Sequence, residues 1–265
     1  MHLQALLGVY AAVLGLIVGS YLNVVVYRLP RGISTVLPRS RCPECGEAIR
    51  AIDNVPVLSF VLLGGRCRAC RTRISWRYPL IEAATAALFL ACLLRFGVTF
   101  EAPAAALFGS LMLALAIIDV DHMILPDVLT WPGIALGILL QPLLPWARLW
   151  DGPWGAMAGA AAGALLGAGV LLAVWLAWYL VRHEEGMGLG DVKMLAVIGA
   201  FLGWKGVLVA LFFGALSGAT VGLTLMAFGG LGAKSKLPFG AFLALGGLIA
   251  LFAGEPLVRA YARLL

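Results

Sequence analysis

The chain reads as an all-α polytopic membrane protein of about eight transmembrane helices, with a small zinc-ribbon-like domain inserted between the first two. Three observations predict that class. Of its 265 residues, 62% are hydrophobic and 12% charged, a balance no soluble domain of this length carries. The apolar residues gather into eight runs, Leu3–Tyr27, Pro79–Leu94, Ala104–Ile118, Leu129–Leu144, Trp154–Val181, Val192–Leu202, Val207–Phe228 and Phe239–Leu257. One polar insert, Arg28–Arg77, interrupts them and holds two CxxC pairs. Residues 1–27 are thus the first transmembrane helix, 28–78 the inserted domain and 79–265 the helix bundle.

The first run follows an N-terminus without a basic stretch and is longer than the apolar core of a secretory signal, which predicts a retained span. The insert carries Cys42-Pro43-Glu44-Cys45 and Cys67-Arg68-Ala69-Cys70, with 21 residues between the pairs. Four thiolates at that spacing suit zinc, because each CxxC turn presents two sulfurs to one tetrahedron. Disulfides and unmetallated thiols are the rival readings, and a reducing compartment argues against the first. About fifty residues is also too few for a self-sufficient core, so a metal staple has a physical purpose. Cys92, alone in the second run, reads as packing.

A span needs about 20 residues, so the shorter runs borrow flanking residues or stay partly shielded from lipid; the sixth is the least secure. Orientation follows from the cations. Ten arginines lie in the insert, and the positive-inside rule places them in the cytoplasm. Alternating from there, fourteen of the nineteen basic residues fall inside, and both termini fall outside. The net charge of +6 is accounted for by this topology and by anionic lipids, and it is not a nucleic-acid signal.

The third run closes on Asp119, four residues before Met123 and seven before Pro126. The sixth opens after Gly186-Met187-Gly188-Leu189-Gly190-Asp191. A carboxylate at the edge of hydrocarbon costs about 2.5–3.5 kcal/mol on insertion scales, so each is a functional-site hypothesis by default. Gly188 and Gly190 leave a side-chain-free approach to Asp191, and Pro126 is expected to open the chain after Asp119 to water. Two aspartates on one membrane face point to acid-base hydrolysis. Helix ends suggest their roles. Asp191 begins a helix, where the positive end of the dipole favours an anion and hence the base; Asp119 ends one, where the acid is favoured.

Glycines recur every fourth residue at Gly155, Gly159, Gly163 and Gly167 in the fifth run and at Gly214, Gly218 and Gly222 in the seventh. Such ridges predict close helix packing within a bundle or an oligomer. Asn23, Glu82 and Asp127 read as hydrogen-bonding links between helices, His122 as a residue facing headgroups, and Lys193 and Lys236 as boundary markers. Glu184 and Glu185 would complement a basic peptide or simply face water.

These residues carry a family resemblance. Gly188-Leu189-Gly190-Asp191 matches the GxGD signature of intramembrane aspartyl proteases, and the whole chain resembles the bacterial type IV prepilin peptidases. The resemblance runs through Gly19–Val25, Tyr27–Pro30, Cys42–Cys70 enclosing Asp53–Ser59, Ile74–Glu82, Ile118–Thr130, Glu185–Leu195 and Leu237-Pro238-Phe239-Gly240. It implies a bifunctional enzyme of the cytoplasmic membrane. That enzyme would remove the basic leader of type IV prepilins or type II secretion pseudopilins, then methylate the new N-terminus from S-adenosylmethionine. The family's catalytic pair falls on Asp119 and Asp191. No GxGxxG fingerprint marks a methyl-donor site in Arg28–Arg77, so that cofactor is implied by the resemblance alone. The alternative readings are a GxGD peptidase of other membrane proteins that does not methylate, an ion-coupled transporter, which would hold its carboxylates near mid-membrane, and a scaffold, which would use the cysteine module to dock a partner.

Overall fold

A computed structural model describes residues 2–144, 146, 151–183, 187–229 and 237–263. Its α-helices are α1 (His2–Arg28), α2 (Leu58–Leu62), α3 (Arg77–Phe96), α4 (Glu101–His122), α5 (Asp127–Leu140), α6 (Pro153–Arg182), α7 (Leu189–Ala227) and α8 (Phe239–Ala262). Among the described residues the only β structure is two isolated bridges in the insert. The chain divides into two compact units, 1–110 and 111–265.

In the first unit α1 runs antiparallel to α3, and the reason lies in small residues at four-residue spacing. A Cβ on Gly15 would lie 2.6 Å from the Ala86 Cα, and one on Gly19 would lie 2.7 Å from the Glu82 Cα. One turn further on, Asn23 Nδ2 donates to the Tyr78 carbonyl at 3.1 Å. Backbones approach this closely only where side chains are absent, and dispersion at that range drives association in lipid. The insert is held to this pair by Glu82, which is buried and accepts the Val57 N–H at 2.7 Å. Val57 has φ 60° at the start of α2, an uncommon conformation for a β-branched residue that the buried carboxylate fixes.

In the second unit α7 lies between α6 and α8. The glycine ridge of α6 is buried from Gly155 to Gly167. Gly163 and Gly199 each occupy the place where the other's side chain would stand, against the opposite carbonyl. The Gly167 Cβ position is 2.5 Å from the Leu195 carbonyl oxygen. Gly214, Gly218 and Gly222 pack similarly against Phe242, Leu243 and Leu237. Both ridges are therefore spent on packing within the unit.

All eight apolar runs lie in helices, but not as eight equal spans. Among the described residues, six helices are long and apolar enough to cross a membrane. α5 has 14 residues, or about 21 Å, against a hydrocarbon thickness of about 30 Å. The sixth and seventh runs are joined in the 39-residue α7, which breaks at Gly203 (φ 67°, ψ −172°). A break leaves the last carbonyls of residues 189–202 without helical donors. The fully buried Gln141 supplies them, its Nε2 donating to the Ala200 carbonyl at 3.2 Å and to the Phe201 carbonyl at 2.5 Å.

Candidate active site

Asp119 occupies the last turn of α4 and Asp191 the first turn of α7. Met123, with φ 53°, ends α4 by donating its N–H to the Asp119 carbonyl at 2.8 Å. Pro126 then begins α5 in an extended conformation, since proline cannot donate to a preceding turn. The expected break in the helix between Asp119 and Pro126 is thus present. At the other aspartate, Gly188 is the N-cap and its carbonyl accepts the Asp191 N–H at 3.1 Å.

Both carboxylates are buried, Asp119 at 5% exposure and Asp191 at 7%. Asp121, two residues along the same helix, is exposed. Positions two apart lie on opposite faces of a helix, so only Asp119 turns inward. Leu125 ties the two ends together. Its Cδ1 lies 3.2 Å from the Cβ position of Gly190 and 3.0 Å from that of Gly240. Asp119 Oδ2 in turn lies 2.9 Å from the same Gly240 position. Asp191 stands within electrostatic reach of Asp119.

The Leu237–Gly240 tract contributes more than its sequence alone suggests. Pro238 is the N-cap of α8, and the first N–H groups of that helix point at Asp119. Ala241 donates to Oδ2 at 3.0 Å, and Gly240 donates as well. Donors at a helix N-terminus stabilise negative charge. Asp119 therefore meets two helix ends, the C-terminus of its own α4 and the opposing positive N-terminus of α8. Pro238 immediately ahead of an apolar run was the sequence signal for this helix start.

Around the pair, Gly190 is pressed on Leu125 whereas Gly188 has open space beside it. Lys193, one turn or less from Asp191, forms an ion pair with Asp127 at the head of α5. Asn23 and Glu82 link helices as expected, and His122 is half-buried. Glu184, Glu185, Gly186, Lys234 and Lys236 lie outside the described residues.

The four insert cysteines converge. The ligand atoms of Cys42, Cys45, Cys67 and Cys70 all lie within 4.8 Å of one another. Two equivalent turns place them. Cys42 donates to the Glu47 carbonyl and Cys67 to the Thr72 carbonyl, each at 2.9 Å, and each turn closes with a residue at positive φ, Gly46 (72°) and Arg71 (60°). Cys42 Sγ and Cys70 Sγ are 3.8 Å apart, far beyond the ~2.05 Å of a disulfide. A tetrahedron with metal–sulfur bonds of about 2.3 Å requires sulfurs about 3.8 Å apart. The Cys70 and Ala69 N–H groups also draw the Cys67 thiol down to about 7, toward the thiolate that a metal needs. These four residues are placed to hold one metal ion. Cys92 is buried in α3, as a packing residue would be.

Comparison with known proteins follows the same division. Residues 13–96 match the Bacterial Peptidase A24 N-terminal domain, and residues 106–223 match the Type IV leader peptidase family. The chain is 41% identical to a prepilin leader peptidase/N-methyltransferase of Burkholderia pseudomallei, covering 93% of this chain and 85% of that protein. It is 37% identical to the protein of that name from Pseudomonas aeruginosa, covering 94% and 91%. With the one from Myxococcus xanthus the identity is 44%, covering 87% and 67%. No solved structure matches. Two family matches in the expected order, and relatives 37–44% identical aligned over 67–91% of their own length, establish that the chain belongs to the type IV leader peptidase family.

Proposed function

We propose that this chain is a membrane endopeptidase that cuts the basic leader from type IV prepilins or type II secretion pseudopilins, then methylates the exposed amine from S-adenosylmethionine. The observation that carries the reading is the meeting of two buried aspartates, Asp119 and Asp191, at the ends of α4 and α7 beside Leu125. The names of the relatives supply the substrate class and the second reaction. The arginine-rich insert orients the site toward the cytoplasm of a bacterial inner membrane, where a basic leader would be presented.

Like charges a few ångströms apart cannot both persist, so the pair holds one proton. The N–H groups of Gly240 and Ala241 favour the negative charge on Asp119. Asp119 is then the base that takes a proton from the attacking water, and Asp191 is the acid that protonates the peptide group. The assignment reverses the one drawn from sequence, and it describes the dominant state of a coupled pair. In the insert, Cys42, Cys45, Cys67 and Cys70 hold a structural zinc.

Cleavage of a prepilin in liposomes, followed by mass spectrometry with and without S-adenosylmethionine, tests the reading. Asp119→Asn and Asp191→Asn proteins should fold and lose cleavage, while the wild type gives a shortened product that gains one methyl only with the donor. Persistent cleavage in either variant removes the aspartyl mechanism. Infrared spectra decide the roles: the protonated carboxyl band at neutral pH should vanish in Asp191→Asn and remain in Asp119→Asn.

A further inference from the structure

Residues 191–203, the half of α7 that opens on Asp191, are enclosed by their neighbours, and Lys193 alone among them is not buried. Its ammonium is held by the Asp127 carboxylate in the first turn of α5. At about 21 Å, α5 is shorter than the hydrocarbon layer; its contacts show what it does instead. It runs beside this half of α7 in the same direction, N-terminus by N-terminus. Asp127 meets Lys193, the Cβ position of Gly133 lies 3.3 Å from Val197 Cγ2, and that of Gly137 lies 2.8 Å from Ala200 Cβ. Gln141 then takes the Ala200 and Phe201 carbonyls. The pairing is closed at each end by polar side chains, the ion pair at the catalytic end and the amide at the Gly203 break.

We propose that Lys193 and Asp127 are positioning residues for Asp191: their ion pair fixes the rotation of residues 189–202 about the helix axis, and with it the place of that carboxylate relative to Asp119. The proposal rests on the aspartyl peptidase half of the proposed function. Two residues apart is about 200° around a helix. Lys193 therefore grips α7 on the side away from the catalytic carboxylate, as the far arm of a lever is held.

Small rotations matter here. A side chain reaches about 5–6 Å from the helix axis, so a turn of about 10° carries Asp191 by about 1 Å. A displacement of that size in a reacting group can cost about a hundredfold in rate. Helix continuity does not prevent it, because α7 breaks at Gly203 and its second half cannot hold the orientation of the first. The neighbouring helices meet the first half largely through glycines, Gly163 and Gly167 of α6 and Gly133 and Gly137 of α5. Such crossings fix the separation of backbones and leave few side chains to interlock. The ion pair supplies the angular restraint, and it does so without adding net charge beside the aspartates, since Asp127 neutralises Lys193.

Steady-state cleavage of a prepilin by the full-length protein in liposomes, with a thermal melt in detergent, tests the role in Lys193→Met, Asp127→Asn, the double variant and the conservative Lys193→Arg. Each of the first two should lose about tenfold or more in kcat, with KM within twofold and the pH profile unmoved. Their thermal midpoints should stay within about 3 °C of wild type, since exposed ion pairs add little stability. The double variant should be no slower than the slower single one, because both act through one contact, and Lys193→Arg should recover most of the rate. Glu255→Gln, which breaks the exposed pair with Arg259 in α8, is the control and should cleave within twofold of wild type. Wild-type kcat in both single variants overturns the proposal. So does a loss carried by KM, which would put the pair in contact with the leader, or a shifted pH profile, which would make Lys193 act by charge. A fall in kcat that tracks the thermal midpoint would make the pair structural only. If wild type itself does not cleave, the peptidase reading falls, and the positioning role with it.

Discussion

Ala241 donates its backbone N–H to the Asp119 carboxylate at 3.0 Å, across 122 residues of chain. The donation requires a bare backbone at Gly240, since a Cβ there would lie 2.9 Å from Oδ2 and 3.1 Å from Cγ. Gly240→Ala should therefore push the carboxylate off its donors. Cleavage should fall about tenfold or more, some 1.4 kcal/mol of barrier, with the thermal midpoint nearly unchanged. Steady-state kinetics on a prepilin, paired with a thermal melt in detergent, measures both.

The crossing of α6 and α7 should tolerate no side chain where Gly163 and Gly199 oppose each other's carbonyl. Gly163→Ala and Gly199→Ala are each expected to destabilise by about 1–3 kcal/mol, the cost of overpacking. Gly169, two residues beyond the ridge, has open space beside it. Gly169→Ala should be neutral or stabilising by up to about 1 kcal/mol, because alanine is the better helix former. Thermal unfolding of the three proteins in one detergent gives the comparison.

Metal content should be one zinc per chain, measured by mass spectrometry of the purified protein. Cys42→Ser should lose it, because Cys42 is the most buried ligand. Without the metal the insert has too little apolar core to hold its shape. Limited proteolysis should then cut between residues 28 and 77 while the helices remain intact. An unaltered protease pattern after metal removal would show that the ion is not structural.

Acid should loosen one part of the insert selectively. Hydrogen bonds from Arg68 hold the Asp53 carboxyl below its usual range. A depressed folded value contributes stability above the unfolded pKa of about 3.9 and loses it as pH falls through the folded value. Protease sensitivity around residues 51–54 should rise below about pH 4 in the wild type. Asp53→Asn, which has no proton to gain there, should lack that component and show little change between pH 5 and 8.

Much of this molecule was determined locally and was legible in order along the chain. Composition and apolar runs established a helical membrane protein, because hydrocarbon admits backbone only with its hydrogen bonds satisfied internally. Four-residue glycine spacing announced close crossings, and two CxxC pairs announced a four-sulfur cluster, because both signals lie within a few residues of sequence. The family resemblance implied Asp119 and Asp191 as the pair, and the structure sets Asp119 apart from Asp121 by helix face.

What tertiary structure alone decided were pairings made through space. The break at Gly203 and its repair by Gln141 are invisible locally, since an apolar run does not reveal which distant amide will meet its freed carbonyls. The balance of charge at the aspartates was likewise undetermined by the helices that carry them. A helix dipole acts on whatever lies at its end, and only the folded chain brings the N-terminus of α8 to Asp119.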